Sequence, residues 1–249
     1  MSFTGRFTER AGAYAAGRPS YPPEAIDVLL DGLGDPAEVV VADLGAGTGI
    51  SARLLAERGA QVFAVEPNDA MRAAAEPHPR VEWVASSAEH TGLHEASADL
   101  VTAFQAFHWF DARAALDEIV RILRPGGRAA VIYNERDERD PFTAAYGDLV
   151  RTYQTDETER RRADGLETFA AFEAWKEKRR IEVRNEHVLD LDGLLARVRS
   201  TSYLPHDGPA AEELTAAVRA LMERFARDGR VVMAMRTIVV ACDIGTAGG

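Results

Sequence analysis

Short runs of apolar residues, each closed by turn-forming residues, recur through the first half of the chain. Uninterrupted runs of this kind are typical of strands that helices cover on both faces. The predicted strands are residues 39–42, 61–65, 81–84, 98–104 and 128–133. Between them, helical spacing and capping residues predict helices over residues 50–58, about 69–75 and 112–123.

The pattern changes after residue 133. Residues 134–140 are highly charged, and residues 141–178 are polar and helix-like. The remaining elements are two strand candidates, 181–188 and 231–243, separated by predicted helices over 190–198 and 209–227. These two late strands are candidates to extend the sheet past its fifth strand.

Five βα repeats with short connections predict a parallel, doubly wound α/β sheet. We expect residues 1–249 to form one domain, with a core at about 35–133 and 179–249. The polar helical segment at about 134–178 is then a small cap over the carboxyl edge of the sheet.

Composition and charge narrow the class of protein. The chain has 249 residues, of which 46% are hydrophobic and 28% charged, and its formal net charge is −11. A surface this acidic repels phosphate, so we expect no nucleic-acid partner. No segment approaches the ~18 apolar residues of a membrane span, and residues 1–19 lack the apolar core of a secretion signal. We therefore expect a cytoplasmic protein with no membrane association.

Few residues are arranged to ligate a metal. Cys242 is the sole cysteine, which excludes internal disulfides and cysteine-ligated clusters. Its apolar neighbours predict a buried structural thiol. His90 and His94 are four residues apart, but Gly92 interrupts any helix between them and no third ligand is evident. We predict no metal site.

A glycine-rich loop follows the first predicted strand. Residues 43–49 read Asp-Leu-Gly-Ala-Gly-Thr-Gly. Ligands of open α/β sheets bind at the carboxyl ends of strands, and glycines let the backbone approach them closely. A dinucleotide fingerprint requires a third glycine at the position of Ile50, and the lysine of a phosphate-binding P-loop is also missing. The spacing therefore favours a ligand other than a dinucleotide.

Three acidic residues follow successive predicted strands. Asp43 has the charge to engage an ammonium group, and Glu66 stands where nucleoside-binding folds place an acid against ribose hydroxyls. Glu89 has the position to meet an adenine edge. Each acid also has a structural interpretation: Asp43 as a helix cap, Glu66 as a turn residue, and Glu89 as a solvated loop residue.

The order of these residues resembles class I S-adenosylmethionine-dependent methyltransferases with a type 11 domain. Residues 41–49 resemble the first motif of that family. Val65-Glu66-Pro67 with Met71 resembles the second motif, and Ser87-Ala88-Glu89 the third. Residues 98–101 and 121–127 resemble the signatures of its fourth and fifth strands. The resemblance covers about residues 39–133.

Two further segments resemble a narrower group, the methyltransferases similar to trans-aconitate methyltransferase. One is near the N-terminus and contains Phe7, Tyr14, Arg18-Pro19 and Tyr21-Pro22. The other is residues 105–111, Gln-Ala-Phe-His-Trp-Phe-Asp.

The family resemblance implies S-adenosylmethionine as cofactor and a Rossmann-like seven-stranded sheet whose last strand runs antiparallel. It implies that the cofactor's methionine end lies against Asp43, Gly45, Ala46 and Gly47. Its ribose would lie against Glu66 beside Pro67, and its adenine against Ala88 and Glu89. Gln105 would pass beneath the sulfonium, while Tyr14 and Arg18 would close over the cofactor from an N-terminal lid at about residues 1–24.

Methyl transfer requires an acceptor in line with the sulfonium and exclusion of water. A carboxylate acceptor is already ionised at neutral pH, whereas a hydroxyl usually needs a base. His108 is the candidate catalytic base because it follows the fourth predicted strand. Alternatively, it hydrogen-bonds loop backbone while its aromatic neighbours pack the cap. The predicted substrate pocket comprises Phe107, Trp109, Tyr133, Arg199 and Tyr203, and a surface role for Arg199 stays open.

We therefore predict methyl transfer from S-adenosylmethionine to a small molecule, at an oxygen such as a carboxylate or hydroxyl, by a monomer or homodimer. One alternative is a non-catalytic cofactor-binding or regulatory protein with the same fold. Another is a nicotinamide-dependent oxidoreductase, which Ile50 argues against.

Overall fold

The computed structural model describes residues 19–245, which contain a seven-stranded mixed sheet. The strands are β1 (Val40–Leu44), β2 (Gln61–Val65), β3 (Val81–Val84), β4 (Ala98–Phe104), β5 (Leu123–Arg136), β6 (Trp175–Leu189) and β7 (Val231–Ile244). Their order is β3-β2-β1-β4-β5-β7-β6. β7 runs antiparallel to both neighbours, and the other pairs are parallel. The predicted fold class is confirmed.

Helices connect the strands. They are α1 (Pro23–Leu30), α2 (Ile50–Glu57), α3 (Asp69–Ala73), α4 (Ala112–Ile122), α5 (Pro141–Tyr153), α6 (Thr158–Ala171), α7 (Leu191–Ser200) and α8 (Gly208–Phe225). None of these described helices is long and apolar enough to cross a membrane.

Both faces of the sheet are buried, which explains the uninterrupted apolar runs of its strands. Side chains alternate along β1, so that Val41 faces the core formed with α1 and α2 while Ala42 faces the core formed with α4 and α6. Each face thus needs an apolar residue at every second position of the central strands. The carboxyl ends of β1, β2 and β4 consequently meet at one edge.

The second half of the chain departs from the prediction in its boundaries. β5 continues to Arg136 because residues 134–136 still pair with β7. β6 begins at Trp175, whereas we expected the cap to remain helical to residue 178. The cap is therefore two helices, α5 and α6.

The late helices α7 and α8 lie beside the cap. They pack with α5 in a third apolar cluster that includes Phe142, Leu194, Leu214 and Met233. The start of β7 lies in that cluster because residues 231–234 pair with β6 beyond the end of β5. The domain boundaries and the N-terminal lid remain predictions, and Tyr14 and Arg18 lie outside the described residues.

Candidate cofactor and acceptor site

The glycine loop between β1 and α2 is tightly enclosed. Gly45, Gly47 and Gly49 have φ angles of +67°, +58° and +79°, in the region that L side chains rarely adopt. A Cβ atom at Gly45 would lie 2.7 Å from the Cβ of Ala106. A Cβ at Gly49 would lie 2.9 Å from the Trp83 ring. The sequence therefore requires glycine here for backbone angle and for space.

Glu66 joins this loop to the turn after β2. Its Oε2 accepts the amide of Gly47 at 3.0 Å, and its Oε1 accepts the amide of Asn68 at 2.8 Å. The Asn68 side chain in turn caps α3 by accepting the amides of Ala70 and Met71. Burial raises the pKa of Glu66, and the two backbone hydrogen bonds oppose that shift.

Asp43 lies beneath the loop. Its Oδ2 accepts the hydroxyl of Ser51 at 2.6 Å, and its Oδ1 accepts the hydroxyl of Thr102 at 2.8 Å. The side chain is fully buried, and this burial raises the pKa of Asp43 to about 6. The carboxylate lines neither of the cavities described below. Asp43 thus ties the loop to β4 and to the start of α2, and its contact with the cofactor remains a prediction.

Two cavities open at the carboxyl edge of the sheet and meet at Gly45, Gly47, Phe104 and Gln105. The smaller cavity has a volume of about 190 Å³. Of the predicted cofactor residues, Glu66, Pro67, Ala88 and Glu89 lie on its wall, as does Trp109 of the predicted substrate pocket.

The larger cavity has a volume of about 320 Å³ and lies between the sheet edge and the cap. Ala46 of the glycine loop and Tyr203 of the predicted substrate pocket line it. Gln105 stands at the junction with a φ of +55°, a strained angle for a residue with a side chain. Its Nε2 donates to the carbonyl of Asn134 at 3.2 Å, which orients the side chain at the point where the cavities meet.

Charged side chains dominate the larger cavity. The cations on its wall are Arg136, Arg151, Arg162 and Arg197, and the anions are Glu135, Glu138 and Glu159. Arg136 donates to Glu159 at 2.6 Å, and Arg151 donates to Glu138 at 2.7 Å. The anion that faces Arg162 is more distant.

Arg162 is held mainly by backbone and by an aromatic face. Its Nη2 donates to the carbonyl of Asn134 at 3.1 Å and lies 3.9 Å from Oε1 of Glu135. Its guanidinium carbon stands 5.1 Å from the centroid of the Tyr133 ring. This arginine is therefore fixed at the cavity wall with only loose neutralisation by a carboxylate.

His108 is tied to Tyr133. The Tyr133 oxygen accepts the backbone N–H of His108 at 3.1 Å and lies 3.0 Å from Nδ1 of the same residue. Burial raises the pKa of Tyr133, so its hydroxyl stays protonated beside Nδ1, and the tautomer of His108 decides which of the two groups donates. His108 and Tyr133 line neither cavity.

Two other residues of the predicted substrate pocket, Phe107 and Arg199, lie away from both cavities, and their roles remain predictions. Phe107 is 1% exposed and packs in the core beside Phe169. Arg199 is exposed on α7, whereas Arg197 of the same helix lines the larger cavity. Two residues apart on a helix point about 200° apart, so only one of the two arginines faces inward.

The sequence reasoning did not find Arg136, Glu159 and Arg162. Residues 160–162 are three consecutive arginines, and three consecutive residues of a helix cannot share one face. The exposed fractions of the side chains at 160, 161 and 162 are 68%, 35% and 17%. The helix period therefore predicts that these three arginines differ in exposure, and the structure shows that Arg162 is the one that turns inward.

Comparisons with known proteins identify the same segment. Residues 42–131 match the profile of the methyltransferase domain family. An uncharacterized methyltransferase of Mycobacterium tuberculosis is 44% identical over 148 residues, or 58% of each chain. An uncharacterized methyltransferase-like protein of Schizosaccharomyces pombe is 33% identical over 148 residues, or 57% of each chain. The chain thus spans less than two thirds of the length of these curated relatives.

The fold is similar over a longer stretch. A solved structure of a putative type II methyltransferase from Anaeromyxobacter dehalogenans is 26% identical, with a TM-score of 0.61 over 92% of this chain and 97% of that one. A putative methyltransferase from an antibiotic biosynthesis pathway of Anabaena variabilis is 21% identical and shares the fold, with a TM-score of 0.64 over 90% and 98% of the two chains. The predicted resemblance is therefore supported over residues 42–131, which match the methyltransferase domain family, and the described residues share the fold of these solved structures.

Proposed function

We propose that this protein transfers a methyl group from S-adenosylmethionine to an oxygen of a small acidic molecule. The observation that carries the proposal is the junction of two cavities at Gly45, Gly47 and Gln105, one beside Glu66 and the other lined by arginines. A nucleoside bound in the smaller cavity would direct its reactive end through this junction. The acceptor would bind in the larger cavity.

The residues of the smaller cavity fit the cofactor. Each carboxylate oxygen of Glu66 accepts one backbone amide, and a carboxylate has about four lone-pair sites, so acceptor capacity remains for ribose hydroxyls. At Gly45 and Gly47 the loop exposes backbone to the cavity, and a Cβ atom at either position would come close to neighbouring side chains. Thr48 contributes a buried hydroxyl that has no hydrogen-bond partner among the described residues, and Thr48 lines the larger cavity.

The bound cofactor would supply a methyl group on a good sulfonium leaving group. The contribution of the chain is then to align the acceptor and exclude water. Gln105 holds the junction, and the cap helices α5 and α6 cover the larger cavity. The arginines would attract and orient an anionic acceptor.

A carboxylate oxygen is the acceptor atom that this arrangement favours. It is ionised at neutral pH and needs no base, which agrees with a His108 whose Nδ1 is engaged by Tyr133. A hydroxyl acceptor would require a base at the larger cavity. The resemblance of residues 105–111 to the trans-aconitate methyltransferase-like group supports the same class of acid.

Calorimetry with S-adenosylhomocysteine tests the cofactor assignment, and release of this product from S-adenosylmethionine tests turnover. We expect turnover with some di- or tricarboxylates and none with the corresponding amides. Absence of cofactor binding contradicts the proposal. Cofactor binding without turnover of any acid, phenol or amine would favour the non-catalytic alternative. The presence of the larger cavity at the junction argues against that alternative.

A further inference from the structure

Arg136 is the most enclosed of the ion-paired arginines of the larger cavity. It is the last residue of β5, and its side chain is 14% exposed. Its Nη2 donates to Oε1 of Glu159 at 2.6 Å, while its Nε lies 3.5 Å from Oε1 of Glu138. That Nε has no hydrogen-bond acceptor among the described residues. The charge of the guanidinium is therefore neutralised by two carboxylates, neither of which forms a bidentate pair with it.

Glu159 reaches Arg136 from the cap. It lies in the first turn of α6 with its side chain 28% exposed, and the same Oε1 atom lies 3.4 Å from the hydroxyl of Tyr203. A single oxygen thus makes both contacts. Because the residue is near the start of its helix and partly exposed, a change of rotamer would carry its carboxylate out towards solvent.

An acidic ligand that enters this cavity meets a cation already paired with a carboxylate. Two carboxylates beside one guanidinium repel each other. A ligand carboxylate has the geometry to accept two parallel hydrogen bonds from an arginine, which is a stronger arrangement than the single bond from Arg136 to Glu159. A neutral ligand offers no such compensation for breaking the internal pair.

We propose that Glu159 is a built-in competitor for the acceptor, and that exchange of its carboxylate for the acceptor's carboxylate on Arg136 sets the selectivity of the cavity for anions. The inference rests on the proposed function for the identity of the larger cavity as the acceptor site. Glu159 acts as a specificity residue. Only a ligand with its own negative charge can replace the contact between Glu159 and Arg136 when Glu159 is displaced.

The test is a calorimetric titration of the full chain, saturated with S-adenosylhomocysteine, with tricarballylate and separately with its uncharged trimethyl ester. Glu159→Gln keeps an oxygen for Arg136 but removes the competing charge, so tricarballylate affinity should rise about tenfold, the scale of one charged contact. Affinity for the ester should not change. Glu167→Gln removes the same charge from an exposed position of the same helix and should leave both affinities unaltered.

The double variant Arg136→Gln/Glu159→Gln replaces the ion pair by a neutral pair, which avoids leaving a lone buried charge. It should lose the gain in tricarballylate affinity and fall below the wild type. Unchanged or weaker binding by Glu159→Gln, or no binding by any folded variant, overturns the inference. If S-adenosylhomocysteine does not bind, the proposed function fails, while the same titration without it still reports whether Glu159 competes with an anion.

Discussion

The amide of Gly47 donates to Oε2 of Glu66 across 3.0 Å, so a side chain that follows β2 fixes the loop that follows β1. The backbone joins the same two segments, since the amide of Gly45 donates to the carbonyl of Val65 at 2.8 Å. One wall of the smaller cavity is therefore held by two hydrogen bonds that need no ligand. Preorganisation of this kind lowers the entropy cost of binding.

Replacing Glu66 by Gln should weaken S-adenosylhomocysteine binding about tenfold to a hundredfold. The glutamine side chain has one acceptor oxygen for the two backbone donors, Gly47 and Asn68. A tenfold change in affinity corresponds to roughly 1.4 kcal/mol, so the expected loss of binding free energy matches one or two charged hydrogen bonds. Isothermal titration calorimetry measures it. Glu82→Gln, an exposed change on β3, is the matched control, and equal affinities for the two variants would show that the cofactor binds elsewhere.

Gly45→Ala should unfold the loop or close the junction between the cavities. The φ of +67° costs the new residue on the order of 1–2 kcal/mol, and contact with Ala106 adds an overpacking cost of roughly 1–3 kcal/mol. Gly92→Ala has a similar φ of +74° with no atom within 4 Å of the new Cβ. Chemical denaturation should therefore show a larger loss for Gly45→Ala, and only that variant should lose cofactor affinity. Equal losses in stability would mean that the angle alone requires glycine.

The strands of the sheet and the position of Glu66 at the end of β2 were predictable because they follow from short stretches of sequence. Continuous apolar runs mark strands buried on both faces, and Glu66 comes directly after such a run. The position of Asp43 also follows from alternation along β1, since Asp43 shares a face with Val41 and so points towards α2. The hydrogen bond from Ser51 at the start of α2 fits this orientation, and the cofactor contact of Asp43 remains a prediction.

The larger cavity was less predictable because it depends on contacts between distant elements. Arg136 ends β5, Glu159 starts α6 and Arg197 belongs to α7. No short spacing joins these residues. Their side chains are polar, so hydrophobic periodicity does not mark which face of each helix turns inward.

Asp43→Asn should change how stability depends on pH. The native pKa of about 6 exceeds the ordinary value of 3.8, so between about pH 4 and pH 6 the native state holds a proton that the unfolded chain releases. The stability contributed by that proton is full below this window and is lost as the pH rises through about 6. Asparagine does not titrate. The difference in unfolding free energy between wild type and variant should therefore shift in favour of the variant by up to about 3 kcal/mol across the window.

Urea unfolding from about pH 4 to about pH 7.5 measures this difference, and carboxylates common to the two proteins largely cancel in it. The loss of charged hydrogen bonds to Ser51 and Thr102 offsets the gain by a nearly constant amount above pH 6. A pH-independent difference would place the native pKa of Asp43 near its ordinary value. Cofactor affinity should fall less than in Glu66→Gln, since Asp43 lines neither cavity.

His108→Asn should reduce stability more than turnover. Nδ1 of His108 is held by the Tyr133 hydroxyl at 3.0 Å, and the residue lies on neither cavity wall. Tyr133→Phe removes the same contact from the other side and should destabilise by a similar amount, about 1–2 kcal/mol. The pH profile of kcat with a carboxylic acid acceptor is the deciding measurement. Loss of an acid limb near neutral pH in His108→Asn would support the predicted role of His108 as catalytic base.

The two arginines near the end of α7 offer the sharpest test of the proposal that the larger cavity binds the acceptor. Arg197→Gln removes a charge from the cavity wall, whereas Arg199→Gln removes one from the exposed side of the same turn. The net charge of the chain changes equally in both variants, so long-range electrostatic effects are matched. With a carboxylic acid acceptor we expect KM to rise about tenfold for Arg197→Gln, the scale of one charged contact, and to stay within about twofold for Arg199→Gln. Cofactor affinity should be the same in both. A rise in KM for Arg199→Gln alone would return that residue to the acceptor site and place the anion-binding face of α7 on its opposite side.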